Sequence, residues 1–186
     1  MLPELATERL RLVPLMEADL DRLHDLLTRP GVRRHLCDDT VLERAQVERL
    51  RQEATGYEPR GLGLWSVLTA QGAWIGIIGL QPVSGEVARA FADFADAVEP
   101  VVALRPEAWG RGYAGEALRR AAHYAFLDLR HARLVALVDE PNVRSHRLLE
   151  RVGFEAVGTG PGPKFPLRAY SLASPKRRLD SGGAGG

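Results

Sequence analysis

Residues 104–118 read Leu104-Arg-Pro-Glu-Ala-Trp-Gly-Arg-Gly-Tyr-Ala-Gly-Glu-Ala-Leu118, and the pattern changes twice along this stretch. The apolar run Val101–Leu104 that leads into it is typical of a strand, and its middle alternates glycine with other residues. Further on, apolar residues recur at the spacing of a helix face: Ala114, Leu118, Ala121, Ala122 and Ala125. The pattern predicts a strand that passes through a glycine-rich turn into a helix.

A turn of this kind can hold an anion. The first turn of a helix has backbone N–H groups without intrahelical partners and carries the positive end of the helix dipole. Gly110 and Gly112 lack a Cβ, so a diphosphate can approach the backbone closely, and Arg111 can add charge-assisted contacts. We therefore predict phosphate binding here; the alternative is a tight turn without a ligand.

Two other nucleotide motifs are excluded. A P-loop needs a lysine and a hydroxyl residue after its second glycine, and neither follows Gly112 or Gly115. The segment Gly110–Gly115 fits the bare glycine pattern of a dinucleotide fold, and Asp139 ends the next strand. A dinucleotide fold, however, begins with this element and continues in βα repeats, whereas here several antiparallel strands are expected before it.

Length and charge limit the possible partners. The chain has 186 residues and a formal net charge of +1. We expect one domain at 1–173 and a disordered Ser/Gly-rich tail at 174–186. The balanced charge gives no electrostatic reason to expect nucleic acid or a membrane surface as a partner.

Cys37 is the single cysteine, which excludes an internal disulfide and a Cys-based metal site. No residue spacing suggests any other metal site. No apolar run reaches transmembrane length, and the N-terminus lacks the layout of a signal peptide. We expect a soluble, cytoplasmic protein.

The remaining elements follow from periodicity. Strands are expected at Thr7–Val13, Leu64–Thr69, Ala73–Leu80, Val101–Leu104, Arg133–Val138, Phe154–Gly158 and Arg168–Leu172. Helices are expected at Met16–Leu27, Leu42–Thr55, from Ala114 to about 128–130, and from Asn142 to Val152. Residues 32–40 indicate an irregular polar loop, and residues 87–94 favour a strand. Because proline cannot donate to a ladder, Pro100 predicts a strand that is bulged or splayed.

In this order of elements the chain resembles the GNAT superfamily of acyl-CoA-dependent N-acyltransferases. Within it, the chain resembles the branch of ribosomal-protein N-terminal acetyltransferases, the RimJ/RimL type. The resemblance spans Thr7 to Leu172. Three segments carry it: Thr7–Leu12, the stretch 104–118, and Asn142–Ser145 with the Leu-Leu-Glu150 and Gly153-Phe154 that follow.

The resemblance implies a single-domain α/β fold. Its central sheet is mixed and mostly antiparallel, splayed at the cofactor site and flanked by helices. Acetyl-CoA is the implied acyl donor, with its pantetheine arm along the strand at Val102, Ala103 and Leu104. The implied diphosphate contacts come from Trp109, Gly110, Arg111, Gly112, Tyr113, Ala114 and Gly115. Trp109 stands where Gln or Arg is usual. This difference is compatible with diphosphate binding, because backbone N–H groups and not that side chain would hold the diphosphate. Asn142 and Ser145 are implied near the thioester, and Arg147 can meet the 3′-phosphate or simply face solvent.

The chemistry is attack of a neutral amine on a thioester carbonyl, so it needs an oxyanion donor, a base and an acid. A backbone N–H near Val102 or Ala103 can serve the oxyanion. Glu99 is the candidate base, with a solvated strand-end glutamate as the alternative. Many superfamily members have a tyrosine as the acid where this chain has Leu149, and Ser145 can either protonate the thiolate or only bind the cofactor.

We expect acetyl transfer from acetyl-CoA to a primary amine by direct attack in a ternary complex. The branch favours the N-terminal α-amine of a protein. A small-molecule amine, such as an antibiotic or polyamine, stays open, because Asp93, Asp96 and Glu99 suit a cationic acceptor as well as a solvated edge. A non-catalytic acyl-CoA-binding protein also stays open, as does a homodimer.

Overall fold

A computed structural model describes residues 2–85 and 91–175. The strands described are β1 (Leu5–Ala6), β2 (Leu10–Pro14), β3 (Gly63–Thr69), β4 (Trp74–Pro82), β5 (Val98–Leu104), β6 (Arg133–Asp139), β7 (Glu155–Gly160) and β8 (Leu167–Ala173). The α-helices described are α1 (Leu20–Thr28), α2 (Pro30–Leu36), α3 (Arg44–Gly56), α4 (Tyr113–Leu127) and α5 (Val143–Val152). Short 3-10 turns lie at Glu17–Asp19, Glu58–Arg60, Ala92–Phe94 and Pro106–Ala108.

The described residues form two compact units. The first comprises the residues up to Gln81 together with Pro100–Ala121. The second comprises the described part of 82–99 and the described residues from Ala122 on. Strand β5 therefore begins in the second unit and ends in the first.

The first unit has strands in the order β1-β2-β3-β4-β5. Strands β1 to β4 pair antiparallel, with Leu12 opposite Val67 and Trp65 opposite Ile78. The alternation of apolar and polar residues in β2 explains its orientation, because Leu10 and Leu12 are buried while Arg11 is exposed. A core cluster draws its side chains from α1, α2, α3 and these strands: Leu15, Leu20, Leu23, Leu26, Leu27, Val32, Val47, Trp74, Ile77 and Ala103.

The second unit has strands in the order β5-β6-β8-β7. Strand β5 pairs with β6 in parallel at Val98↔Leu134, and β6 then pairs antiparallel with β8 over its whole length. Strand β7 pairs antiparallel with β8 at the edge. A smaller core cluster is formed by Val83, Phe94, Ala97, Val135 and Ala169.

The predicted fold class is confirmed: the fold is α/β, with a mixed, mostly antiparallel sheet and flanking helices. Helix α5 also follows the prediction, because Asn142 caps its start and Gly153 ends it in a left-handed conformation. The domain boundary at residue 173 stays a prediction. Of the predicted tail, residues 176–186 lie outside the described residues.

Three sequence predictions were wrong. Residues 30–36 form helix α2 rather than part of a loop, because Pro30 is the first residue of a new helix, where its missing N–H costs nothing. Of the strand predicted at 87–94, Ala92–Phe94 form a 3-10 turn instead, and residues 87–90 lie outside the described residues. The predicted first strand begins only at Leu10, because Thr7 to Arg9 form the turn after the short strand β1.

Candidate active site

The segment between β5 and α4 makes the predicted glycine turn. After the 3-10 turn at Pro106–Ala108, Gly110 and Gly112 take φ angles of 76° and 81°. These angles lie in the left-handed region, which costs a residue with a Cβ about 1–2 kcal/mol and glycine little. The first bond into helix α4 runs from Glu116 N to Gly112 O at 3.1 Å. The predicted strand, turn and helix therefore follow one another directly.

The open side of this turn presents backbone donors. The N–H groups of residues 113–115 precede the first helical bond, so the helix supplies them with no acceptor. A Cβ placed on Gly110 would meet no atom within 4 Å, and Arg111 is exposed. The opposite face of α4 is anchored by Ala117, Leu118 and Ala121, which are fully buried. The arrangement fits an anion at the helix N-terminus.

Trp109 supports the turn from inside the protein. Its indole N–H donates to the Leu104 carbonyl at 2.7 Å. Its ring lies over Gly31 in α2, where an added Cβ would be 2.7 Å from Cη2. The indole N–H of Trp109 is therefore bonded within the protein and is not the group that makes the predicted contact with the donor.

A cluster that the sequence analysis missed lies beside the turn. The Glu116 carboxylate accepts bonds from the Thr7 hydroxyl and from Arg9, whose Nε and backbone N lie 2.7 and 3.0 Å away. Arg9 Nη1 also donates to the Arg111 carbonyl at 3.1 Å, and its guanidinium lies 4.9 Å from the centre of the Tyr113 ring. Thr7 and Arg9 belong to the Thr7–Leu12 segment that carries the family resemblance, but periodicity gives no information about their long-range partners.

The end of β5 is held closely against β4. Arg105 N donates to Ile75 O at 2.8 Å. Gly76 makes the approach possible, because a Cβ there would overlap the Ala103 carbonyl. Ala103 and Leu104 are buried and Val102 is half-buried. The backbone predicted to bind the pantetheine arm is thus fixed on one side.

Glu99, the predicted base, lies one residue after the position where β5 pairs with β6. Its side chain is half-buried, and Oε1 accepts a hydrogen bond from Leu137 N at 3.2 Å. Pro100 follows and has no N–H to offer a neighbouring strand. The carboxylate therefore satisfies a backbone N–H of β6 that a continued ladder would otherwise bind.

Burial dominates the acid–base behaviour of Glu99. Loss of hydration raises the pKa of its carboxyl to about 7, and the bond from Leu137 N opposes that rise. Near neutral pH the group then exists in both protonation states. That is the property that a general base needs, since it must accept a proton and release it again.

The N-terminus of α5 holds the remaining predicted residues. The Asn142 side chain caps the helix by accepting a bond from Ser145 N at 3.2 Å. Ser145 is half-buried and Arg147 is exposed. Leu149 is buried, so the position of the usual tyrosine serves the core in this chain.

His146 links this helix to the sheet. Its Nε2 lies 3.1 Å from the Glu140 carbonyl and its Nδ1 lies 2.9 Å from the Tyr170 hydroxyl. A carbonyl only accepts, so Nε2 donates to Glu140, and the Tyr170 hydroxyl is the hydrogen-bond partner of Nδ1. Because Tyr170 is fully buried, this pair fixes the start of α5 on β8.

Two features are absent from the described residues. Within residues 2–85 and 91–175, no group of three His, Cys, Asp or Glu side chains is arranged to hold a metal ion. No helix in the described part of the chain is long and apolar enough to span a bilayer.

The family model and the curated relative that match this chain are both acetyltransferases. The model of the acetyltransferase (GNAT) domain family matches residues 9–155. An uncharacterized N-acetyltransferase of Bacillus subtilis, YoaA, is 26% identical over 185 residues, covering 95% of this chain and 99% of the relative.

Two solved structures share the fold at lower identity. RimL, a ribosomal L7/L12 α-N-protein acetyltransferase in complex with CoA, aligns with a TM-score of 0.73 at 17% identity, covering 92% of this chain and 98% of RimL. Spermidine N-acetyltransferase from Vibrio cholerae, in complex with CoA and spermine, aligns with a TM-score of 0.72 at 20% identity, covering 90% and 97%.

Proposed function

Because this chain belongs to the acetyltransferase (GNAT) domain family, we propose that it acetylates the N-terminal α-amine of a protein by direct attack in a ternary complex. Family membership makes it an acetyl-CoA-dependent N-acetyltransferase. We further propose that the chain is RimJ/RimL-like and that individual residues have the roles given below.

The observation that carries the mechanism is the half-buried Glu99 carboxyl on β5, with its pKa raised to about 7. The acceptor amine arrives as an ammonium and transfers one proton to Glu99. The neutral amine then attacks the thioester carbonyl, so that a C–N bond forms while the C–S bond breaks. The attacking nitrogen gives up its second proton as the amide forms, the leaving thiolate takes up one proton, and Glu99 returns the other to solvent.

Other residues position the donor. Backbone N–H groups of Val102 or Ala103 stabilise the oxyanion, since the backbone there is held rigidly against β4. The turn Gly110–Gly115 binds the diphosphate. Ser145, at the capped start of α5, protonates the thiolate or binds the donor. Holding amine and thioester together supplies much of the remaining acceleration.

The charge on α2 supports a protein N-terminus as acceptor. The last turn of α2 carries Arg33, Arg34 and His35, of which Arg33 is paired with Asp39 at 3.0 Å. Directly before α2, Arg29 pairs with Asp25 at 3.1 Å and with Glu107 at 2.9 Å, and Arg105 also pairs with Asp25 at 3.0 Å, so the two carboxylates are balanced by two guanidinium groups. A polycation is repelled by such a surface, whereas a peptide with one ammonium followed by neutral or acidic residues is not.

One observation favours a small cationic amine instead. In the second unit, a surface hollow of about 240 Å³ is lined in part by Asp93, Asp96, His131 and Arg133. Two carboxylates there can attract an amine, although Arg133, with its guanidinium 5.6 Å from the centre of the Phe94 ring, offsets part of that charge. A polyamine or aminoglycoside is therefore the second candidate acceptor.

The test is thiol release from acetyl-CoA by the purified protein, with panels of N-terminal peptides, polyamines and aminoglycosides. Gly112→Glu is the variant to compare, because it places bulk and negative charge at the turn. We expect turnover with peptides that Gly112→Glu abolishes. Turnover only with polyamines or aminoglycosides would contradict the proposed acceptor.

A further inference from the structure

The turn Thr7–Arg9 forms a cluster with the first turn of α4, beside the diphosphate site of the proposed function. The carboxylate of Glu116 is bonded by Thr7 and Arg9, and Arg9 also bonds the carbonyl of Arg111. A cation beside an anion site normally serves as a direct ligand. In this cluster the guanidinium is already engaged by the protein, which points to another role.

Arg9 joins both sides of the glycine turn. One side is the Arg111 carbonyl, which lies between the two left-handed glycines. The other is Glu116, in the first turn of α4, whose Oε2 lies 2.6 Å from Arg9 Nη2. The planar guanidinium has its donors in a fixed fork, so it holds the two groups in one relative orientation, whereas the three donors of an ammonium rotate and fix no such orientation. The bridge therefore fixes the peptide units of residues 111–115 relative to the helix.

The same contacts correct an electrostatic problem. A carboxylate in the first turn of α4 lies where the proposed diphosphate brings further negative charge. Burial opposes ionisation of Glu116, but bonds from Thr7 and Arg9 lower its pKa below the usual value, so it is an anion at neutral pH. Arg9 compensates this charge by a direct ion pair with Glu116.

We propose that Arg9 is a positioning residue for the acyl donor: it holds the Arg111 carbonyl and Glu116 so that the turn presents its N–H groups to the diphosphate. This inference rests on the proposed function. It gives the Thr7–Leu12 segment a role in donor binding that its position at the start of the chain does not suggest.

The test compares two acyl donors. S-acetylpantetheine has the thioester and pantetheine arm of acetyl-CoA but lacks the diphosphate. Arg9→Met should lower kcat/KM for acetyl-CoA about tenfold or more, the size expected for losing charge-assisted bonds, and leave kcat/KM for S-acetylpantetheine unchanged. A general loss of structure would lower both values together.

Arg11→Met is the matched control. Arg11 lies two residues further on and pairs with Glu4 at 2.7 Å, and its side chain is 54% exposed against 47% for Arg9. The ratio of the two kcat/KM values should stay at the wild-type level in this variant. The inference would be overturned if Arg11→Met lowered this ratio as much as Arg9→Met does. It would also be overturned if Arg9→Met lowered kcat/KM equally for acetyl-CoA and for S-acetylpantetheine.

Arg9→Lys separates positioning from simple attraction, and also serves if Arg9→Met does not fold. Lysine keeps the positive charge but lacks the fixed arrangement of guanidinium donors. If Arg9 acts by positioning, kcat/KM for acetyl-CoA should fall relative to kcat/KM for S-acetylpantetheine. A wild-type ratio in Arg9→Lys would overturn positioning. If the wild-type protein bound no CoA in calorimetry, the proposed function itself would fail, whereas wild-type binding with unchanged binding in Arg9→Met would overturn this inference alone.

Discussion

The Glu99 carboxylate accepts a hydrogen bond from the Leu137 backbone N–H at 3.2 Å, where a main-chain carbonyl would be expected in a continued ladder. Strands β5 and β6 pair at Val98↔Leu134, just before this point. The bond orients the carboxylate without exhausting it, because an ionised carboxylate can accept several hydrogen bonds. A side chain that completes the sheet can therefore also act as a base.

Glu99→Gln should lower kcat by about 10²- to 10⁴-fold, the usual contribution of a general base. The amide oxygen can still accept the bond from Leu137 N, so the fold should persist. In the wild-type protein, kcat/KM should rise with pH through about 7, because the ionised form is the base. The pH profile of the variant should lack that inflection.

Glu150→Gln is the control for this substitution, because Glu150 is exposed on α5. It should retain the wild-type profile. A wild-type inflection near pH 7 in Glu99→Gln would assign the titration to another group and remove Glu99 from the mechanism.

Stability should also depend on Glu99. Its folded pKa of about 7 is raised from 4.5, so the folded state binds the proton more tightly than the unfolded state. The stabilisation is complete below pH 4.5 and is lost as pH rises toward 7, by a few kcal/mol at most. Urea unfolding across this range should show the decline in the wild-type protein and a smaller one in Glu99→Gln. Equal slopes for the two proteins would contradict the raised pKa.

Gly112→Glu should raise the Kd for CoA at least 100-fold, because it adds bulk and charge where the diphosphate is proposed to bind. Gly72→Glu is the control: Gly72 has the same φ of 81° in the β3–β4 turn, with no atom within 4 Å of an added Cβ. Both variants pay the left-handed cost of about 1–2 kcal/mol, but only the first should lose CoA in calorimetry. Unchanged affinity in Gly112→Glu would refute the placement of the site.

The packing of Trp109 on Gly31 predicts coupling between the two positions. Gly31→Ala should destabilise by about 1–3 kcal/mol, because its Cβ would be 2.7 Å from Cη2 of the indole. In a Trp109→Phe background the same change should cost less, because phenylalanine lacks that atom. Gly56→Ala, with nothing within 4 Å, should be neutral or slightly stabilising. Additive effects at positions 31 and 109 in denaturant unfolding would contradict the contact.

Local patterns predicted the elements that local chemistry determines. The glycine turn before α4, the hairpin of β3 and β4 and the capped helix α5 follow from residues close in sequence. Helix α2 was missed because a proline can end one helix and can also be the first residue of the next. The sequence around Pro30 therefore fits a loop as well as a second helix, and the burial of Val32 distinguishes them.

Long-range contacts limited the prediction of the site. The sequence indicates Glu99 as the base because it lies at the start of the predicted splayed strand, but its bond to Leu137 depends on strand order, which no local pattern contains. The Arg9–Glu116 pair joins residues far apart in the sequence, and the alternation around Arg9 predicts only a strand. Trp109 was predicted as a donor contact from its position in the motif, and its bond to Leu104 was not foreseen.

Asn142→Ala should cost about 1 kcal/mol of stability, because it removes the acceptor for Ser145 N at the start of α5. Asn142→Ser should retain most of that stability, since a serine hydroxyl can also cap a helix. Urea unfolding of the two variants gives the comparison. Equal stabilities would show that the cap contributes little.

The most direct test of the proposed acceptor is the position of the acetyl group on a peptide that offers both an N-terminal α-amine and an internal lysine. The protein is incubated with acetyl-CoA and the peptide, and the product is fragmented by tandem mass spectrometry. We predict one acetyl group on the α-amine, and no product from the same peptide with a blocked N-terminus. Acetylation of the lysine alone, or of spermidine but not the peptide in parallel reactions, would contradict the account.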